Sequence, residues 1–502
     1  MRARTERYTR YLPPLLAGAL GICVFDADRA TQGGPPPAFV HPGILVTRAQ
    51  LDFVKGRVAA GAEPWTSAAA RAKSDKHGAR TYAPHPPLPS AATDTTPATD
   101  SPLVLCGSFS DPDVHCTDEK EDGVAAYTQA LLWYFTGDDT YEQNAIAILD
   151  AWSALIDHRL SNASLQAGWM GTQFARAAEI MQLDPNWPAD DVAAFKAMMR
   201  RAFLPRLLAA TPWQVQKADP ANGTNGNWDL SLADSLVQIG VLLDDRGIYD
   251  TGVALWRDRV PAYCYYSPTD GLHPKSTCGG FSGSASGYAA TATRTADPYG
   301  FWGQAGGTSP ASTPPPDAGP PSTEWRVMPD GLAQETCRDL EHVQYGLAAL
   351  VNVAETARIQ GTDLYGEQGP KLAACMEFAA LYVNLAPKDA SGAAKRYDTP
   401  VNPAVTVAAQ EPSLCPNASG AATVTLLNTG SLGNYVVQPT WEIGYNALAT
   451  RLGLSMPLTK QLLAQLRSPP PGWVGITHHM GWETLTHGDV GAVGLPAPSC
   501  GQ

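Results

Sequence analysis

The densest group of reactive side chains is Gln334-Glu335-Thr336-Cys337-Arg338-Asp339-Leu340-Glu341-His342-Val343-Gln344-Tyr345. The periodicity predicts one helix over 333–359. At about 100° per residue, Leu332, Leu340, Val343, Leu347, Leu350 and Val351 share a face. Glu335, Arg338, His342 and Tyr345 fall opposite, with Asp339 at the edge. An acid, a guanidinium, an imidazole and a phenol are the parts of a proton-transfer site. The alternative for the same residues is a solvated face laced by i,i+3 and i,i+4 ion pairs.

The elements that would position such a site are helices. Amphipathic segments are predicted at 47–60, 122–136, 140–157, 164–183, 187–208, 228–243, 246–259, 333–359, 366–384, 435–452 and 457–466. Strand signals are few, the best being Ala422–Asn428. Helices of similar length joined by irregular loops predict an all-α protein of helical hairpins around a common axis. No fixed-period repeat supports a uniform solenoid. Residues 83–103 read as a long loop and 303–323 as a low-complexity insertion.

The whole chain narrows the chemistry. A formal charge of −13 over 502 residues argues against nucleic acid and against a polybasic membrane surface. A polyanionic substrate would then need a local cluster of Arg, Lys or His. Arg2, Arg4, Arg7 and Arg10 precede the apolar run Leu12–Phe25, which reads as an export signal over residues 1–30. Residues 31–502 then form a single domain, secreted, periplasmic or at the cell surface. Cys23 closes a weak lipobox-like end, leaving a lipid anchor as an alternative. No later run is long enough to span a bilayer. Without Cys23 the cysteine count is even, which in an exported chain favours disulfides over metal. Short spacing favours Cys106–Cys116 and Cys264–Cys278, and Cys337–Cys375 could tie two successive helices. No glycine-rich loop signals an organic cofactor. His478-His479 and His487 lack a carboxylate pattern for a metal and read as loop residues. A monomer is expected.

Several short motifs, in order, carry a resemblance. They are His41-Pro42-Gly43-Ile44-Leu45, Ala125-Ala126-Tyr127 with Leu132-Trp133-Tyr134, Gln166-Ala167-Gly168-Trp169 with Gln173-Phe174-Ala175, Asn227-Trp228-Asp229-Leu230, Gln334-Glu335 with Arg338-Asp339 and His342, and Trp441-Glu442 with Tyr445-Asn446. Over roughly residues 40–450 the chain resembles alginate-lyase-type polysaccharide lyases. The resemblance implies an incomplete (α/α) toroid with a groove for a sugar chain, and β-elimination at a 1,4-linked uronate of alginate or glucuronan. That reaction needs the uronate carboxylate neutralised, a base for the C5 proton and an acid for the departing glycosidic oxygen. Better-known members begin one helix with Asn-His and place an Arg seven positions before a Tyr on a later one. Arg338 and Tyr345 keep that spacing and Asn227 keeps the Asn, but Trp228 stands where the His would be. The wording Gln-Glu-x-x-Arg-Asp-x-x-His is closer to an alginate- or glucuronan-type branch whose helix carries its own His.

The resemblance assigns Asn227 to carboxylate neutralisation, where a helix N-cap is the structural alternative. Arg338 would hold a carboxylate or assist a Tyr, or simply pair with Glu335 or Asp339. His342 would be base or second donor, or a structural partner of Asp339. Tyr345 would be acid and also base, or a packed aromatic. His273 would add a donor from a loop, or sit in an exposed turn. Trp169, Gln173, Trp228 and Glu335 are candidates for binding sugar, the two Trp having the core as their alternative. Two rival functions remain. A glycoside hydrolase would need two carboxylates flanking one groove, such as Glu335 with Asp229 or Glu179. An inactive carbohydrate-binding homologue would fit the missing His.

Overall fold

Pro, Gly and capping residues divide the chain into short helices, and the sequence between them buries one face of each. The structure, a computed structural model, describes residues 37–89, 101–211, 226–270, 330–336, 340–385, 439–467, 476–491 and 493. The elements described below belong to the compact unit Phe39–Leu495. The expected export segment, the strand Ala422–Asn428 and the insertion 303–323 lie outside the described residues.

Helices α1 (Arg48–Ala59) and α2 (Trp65–Ser74) open the unit, followed by α3 (Cys116–Thr136), α4 (Asp139–Trp152) and α5 (Ala163–Met181). Boundaries follow local chemistry. Thr47 Oγ1 accepts from the Gln50 N–H at 3.2 Å to start α1. Gly137, at φ 68°, ends α3 by donating to the Trp133 carbonyl at 2.7 Å. Asp138 then caps α4 through the Thr140 N–H at 3.0 Å.

The segment expected as one helix over 187–208 is broken. It comprises α6 (Ala189–Met198), a π-helical turn Met199–Phe203 and α7 (Leu204–Ala209). Pro205 lacks the N–H that would continue the ladder, and the wider turn absorbs the gap. Next come α8 (Asn227–Leu242), α9 (Arg246–Tyr263), α10 (Ser267–Asp270), α11 (Leu340–Ile359) and α12 (Leu364–Leu385). The chain ends with α13 (Glu442–Tyr445), running into a π-helical Asn446–Arg451, then α14 (Pro457–Leu466) and α15 (Glu483–His487).

The helix expected from 333 does not begin there. Residues 330–336 run beside Tyr263 and Tyr265: the Gln334 N–H donates to the Tyr263 carbonyl at 2.8 Å and the Tyr265 N–H to the Leu332 carbonyl at 2.9 Å. Backbone groups spent on that pairing cannot serve a helix. Leu332 and Glu335 therefore stand on a turn, off the α11 face.

Helices α3, α5, α8 and α11 pack each on the next, while α4, α9 and α12 back α3, α8 and α11. This is an all-α, incomplete (α/α) toroid. Contact along the ring is close because small residues sit at the crossings. A Cβ on Gly171 of α5 would meet Ser235 Oγ at 2.3 Å, and one on Gly252 of α9 would meet Val237 Cγ2 at 2.7 Å. The core between the layers holds Trp152, Phe174, Phe195, Phe203, Trp256 and Trp441.

Two small β elements complete the unit. Strand β1 (Leu103–Cys106) pairs antiparallel with β2 (Asp113–Val114) and parallel with β3 (Asp157–Arg159). A hairpin of β4 (Ile476–Thr477) and β5 (Met480–Gly481) pairs Ile476 with Gly481 and Thr477 with Met480. Cys106 is bridged to Cys116 with Cα atoms 5.7 Å apart, as expected. Cys264 is bridged to Cys375, Cα atoms 5.9 Å apart, not to Cys278, and Cys375 is thereby not paired with Cys337. The reason is topological: α9 delivers Cys264 to α12, which packing of both around α11 brings near. No helix among the described residues is long and apolar enough to cross a membrane.

Candidate active site

Tyr345 is the centre of a cluster of ring side chains. Its residue is buried, and its hydroxyl donates to Glu341 Oε1, one turn earlier on α11, at 2.6 Å. The ring meets Trp169 of α5 at 5.8 Å, His342 at 5.7 Å and His478 of the β4–β5 hairpin at 4.9 Å between centroids. His478 in turn meets Trp169 at 4.3 Å. The face of α11 that carries Tyr345 is therefore enclosed, not solvated, and three separate elements converge on the phenol.

A buried polar network fixes the hairpin there. Gln173 Nε2 donates to the carbonyls of His478 (2.6 Å) and Met480 (3.3 Å). Arg176 Nη1 donates to the His479 carbonyl at 2.8 Å, and Asn352 Nδ2 to the same carbonyl at 3.1 Å. His479 Nε2–H returns a bond to the Tyr345 carbonyl at 2.9 Å, which sets that ring's tautomer. Behind them Arg176 reaches Gln238 Oε1 at 2.9 Å and Asp234 Oδ2 at 3.6 Å. Burial pushes Asp234 up to about 6 against the pull of Arg176, Asn352 and Gln238. Burial pushes His479 down to about 3, the Tyr345 carbonyl opposing and Arg176 adding. His478 is held well below the ordinary histidine value by burial first, then by Lys120, His479 and His342.

At the start of α8, Asn227 makes a different arrangement from the one expected. Its backbone N–H and its Nδ2 each donate to the Glu335 carboxylate at 2.8 Å. The Tyr263 hydroxyl adds a bond to the same carboxylate at 3.2 Å. Gly226 makes the approach possible. It sits at φ 59°, and a Cβ there would lie 2.7 Å from the Glu335 carboxyl carbon. Asn227 is fully buried, so its amide donors serve a protein carboxylate.

The sequence-predicted residues thus divide. His342, Tyr345 and Trp169 come together. Gln173 is buried beneath the hairpin and positions it, while Asn227 and Glu335 clasp each other. Trp228 is partly exposed at the start of α8. Arg338 and His273 lie outside the described residues. His478, His479 and His487 are not simple loop residues: His479 is fully buried, and His487, also fully buried, bonds the Leu45 carbonyl at 3.0 Å. The sequence reading did not bring His478 or Glu341 to Tyr345, where the structure places both. Glu341 was findable from its i,i+4 spacing to Tyr345; nothing local ties residue 478 to residue 169.

Residues 110–263 and 324–390 match the alginate lyase family. Among solved structures, alginate lyase A1-III from Sphingomonas species A1 is similar, at 16% identity, over 70% of this chain and 82% of that one, with a TM-score of 0.39. An alginate lyase from Bacteroides ovatus is similar at 13% identity, over 68% and 84%, with a TM-score of 0.43. An A1-III variant complexed with a tetrasaccharide is similar at 16% identity, over 66% and 76%, with a TM-score of 0.39. No curated protein matches the chain.

Proposed function

We propose, from the premise that the chain carries an alginate lyase-type domain and is a polysaccharide lyase, that it cleaves a 1,4-linked uronate polymer, alginate or glucuronan, by β-elimination. The observation that carries this reading is the enclosed Tyr345 phenol, met by Trp169, His342 and His478 and hydrogen-bonded to Glu341. In the elimination a base removes the C5 proton and the C4–O glycosidic bond breaks. A C4–C5 double bond forms and the leaving oxygen takes a proton. Tyr345 is the acid, its hydroxyl oriented by Glu341 at 2.6 Å; its proton goes to the leaving oxygen, and the proton taken from C5 is passed back to the phenolate through solvent before the next turnover. His342, one turn before on the same helix, is the base beside it. Arg338, seven positions before Tyr345, holds the uronate carboxylate, and the Trp169 indole offers a flat face to a pyranose ring.

The carboxylates a hydrolase would use favour elimination instead. Glu335 is clasped to Asn227, Asp229 lies 3.0 Å from Arg259, and Glu179 lies 2.9 Å from His41. All of these carboxylates are buried. Disulfides Cys106–Cys116 and Cys264–Cys375 support export to an oxidising compartment.

The test is ultraviolet absorbance of the unsaturated product during incubation with polymannuronate, polyguluronate and glucuronan. A rise on one of them is expected, and Tyr345→Phe should reduce it roughly 10²-fold or more. No rise on any uronate polymer ends this reading.

A further inference from the structure

Asn227, offered by resemblance as a donor to the uronate carboxylate, is fully buried with both kinds of N–H on Glu335. Arg338 is then left without the amide expected to help it hold the substrate carboxylate, and two other donors lie on elements that pack together, His478 on the β4–β5 hairpin against Tyr345 and Lys120 on α3. His478 is the first residue of the two-residue turn between Thr477 and Met480, and its φ is 47°. Glycine suits a left-handed first turn position, whereas an imidazole there is strained. The chain nevertheless places a histidine and grips its carbonyl with Gln173 at 2.6 Å. Strain held by surrounding bonds at one defined spot points to use of that side chain. One ring nitrogen, Nδ1, lies 2.8 Å from Thr477 Oγ1; Nε2 bonds none of the described residues.

Lys120 belongs to α3, the helix that packs against strand β4 immediately before His478, and its charge acts on that ring. It pairs with no carboxylate among the described residues, although the chain carries a net charge of −13. Its neighbour Glu119 is already bonded to His158 at 2.8 Å and Gln166 at 2.8 Å. A partly buried ammonium on the helix that packs against this hairpin favours one negative charge there.

We propose that Lys120 and the Nε2–H of His478 join Arg338 in holding the carboxylate of the uronate being cleaved, the task the buried Asn227 amide does not serve. The assignment rests on the lyase reading above. It puts the carboxylate on the side of Tyr345 where Trp169 and His478 meet, so that C5 and the glycosidic oxygen of the same sugar lie toward the phenol. Burial, Lys120, His479 and His342 keep the imidazole neutral before substrate arrives, and a neutral imidazole with Thr477 donating to Nδ1 presents Nε2–H as a donor.

The experiment compares a uronate polymer with its carboxyl methyl ester, whose carbonyl needs no charge neutralised. Full-length wild type, His478→Gly and Lys120→Met are assayed for unsaturated product on both. Each variant should lose roughly 10²-fold in kcat/KM on the free acid and much less on the ester, so the acid-to-ester ratio falls. The thermal midpoint of His478→Gly should hold or rise, because glycine relieves the turn. Equal losses on both polymers, or no loss on the acid, overturn the assignment. A wild type that forms no unsaturated product from either polymer ends the lyase reading instead, and this assignment with it.

Discussion

Glu335→Gln separates two roles for one side chain. If Glu335 bound sugar, the change would alter substrate affinity and little else. The structure gives it another task. Its carboxylate accepts the Asn227 backbone N–H and Nδ2 at 2.8 Å each and the Tyr263 hydroxyl at 3.2 Å, while the residue is only 6% exposed. A glutamine offers one acceptor oxygen and turns an NH2 toward one of the two Asn227 donors. The retained bond passes from charged to neutral, about 1 kcal/mol, and the orphaned buried donor costs about 1–3 kcal/mol. The start of α8 also loses a facing negative charge, worth about 0.5 kcal/mol. Together these predict about 2.5–4.5 kcal/mol of destabilisation, a fall of several degrees in thermal midpoint for a domain of this size. Differential scanning fluorimetry beside kcat and KM on the best uronate polymer is the assay. The expected outcome is a lowered midpoint with kcat reduced. A midpoint within a degree of wild type, with KM raised and kcat kept, would refute the clasp and return Glu335 to the substrate.

Arg176→Ala should cost about 3–5 kcal/mol in chemical denaturation, since it strips the charged partner from buried Asp234 and one of two donors from the His479 carbonyl; a loss below about 1 kcal/mol would show that the network does not hold the hairpin. His41 bridges Glu179 at 2.9 Å and Asp244 at 3.0 Å. The bond to Glu179 chiefly, with Asp244 adding and burial opposing, pushes it up to about 9. A raised histidine contributes stability that is complete below the unfolded value near 6.5 and lost as pH rises through about 9. His41→Ala should therefore lower the thermal midpoint at pH 6 and match wild type above pH 9.5, and a pH-independent difference would remove the ion pair as its cause.

Most helices were legible because their apolar spacing and caps are local: Thr47, Asp138 and Gly137 mark boundaries the structure keeps. The errors fall where distant backbone competes. Residues 333–336 read as the start of a helix, but the segment 330–336 donates to Tyr263 and Tyr265, and no window of sequence contains both partners. Cys264 found Cys375 and not the nearer Cys278 for the same reason. In the candidate site, Tyr345 and His342 were readable because one helix carries both. His478 was not, because its neighbours Trp169 and Gln173 are about 300 residues earlier and its doublet with His479 looks like any polar turn. Trp228 was the readable sign that an imidazole was missing from the start of α8. It could not say that the hairpin brings another imidazole to Tyr345, since that depends on three carbonyls gripped by Gln173, Arg176 and Asn352. The place of His478 thus follows from the packing of α5 and α11 around the hairpin, a property of the assembled ring and not of any segment within it.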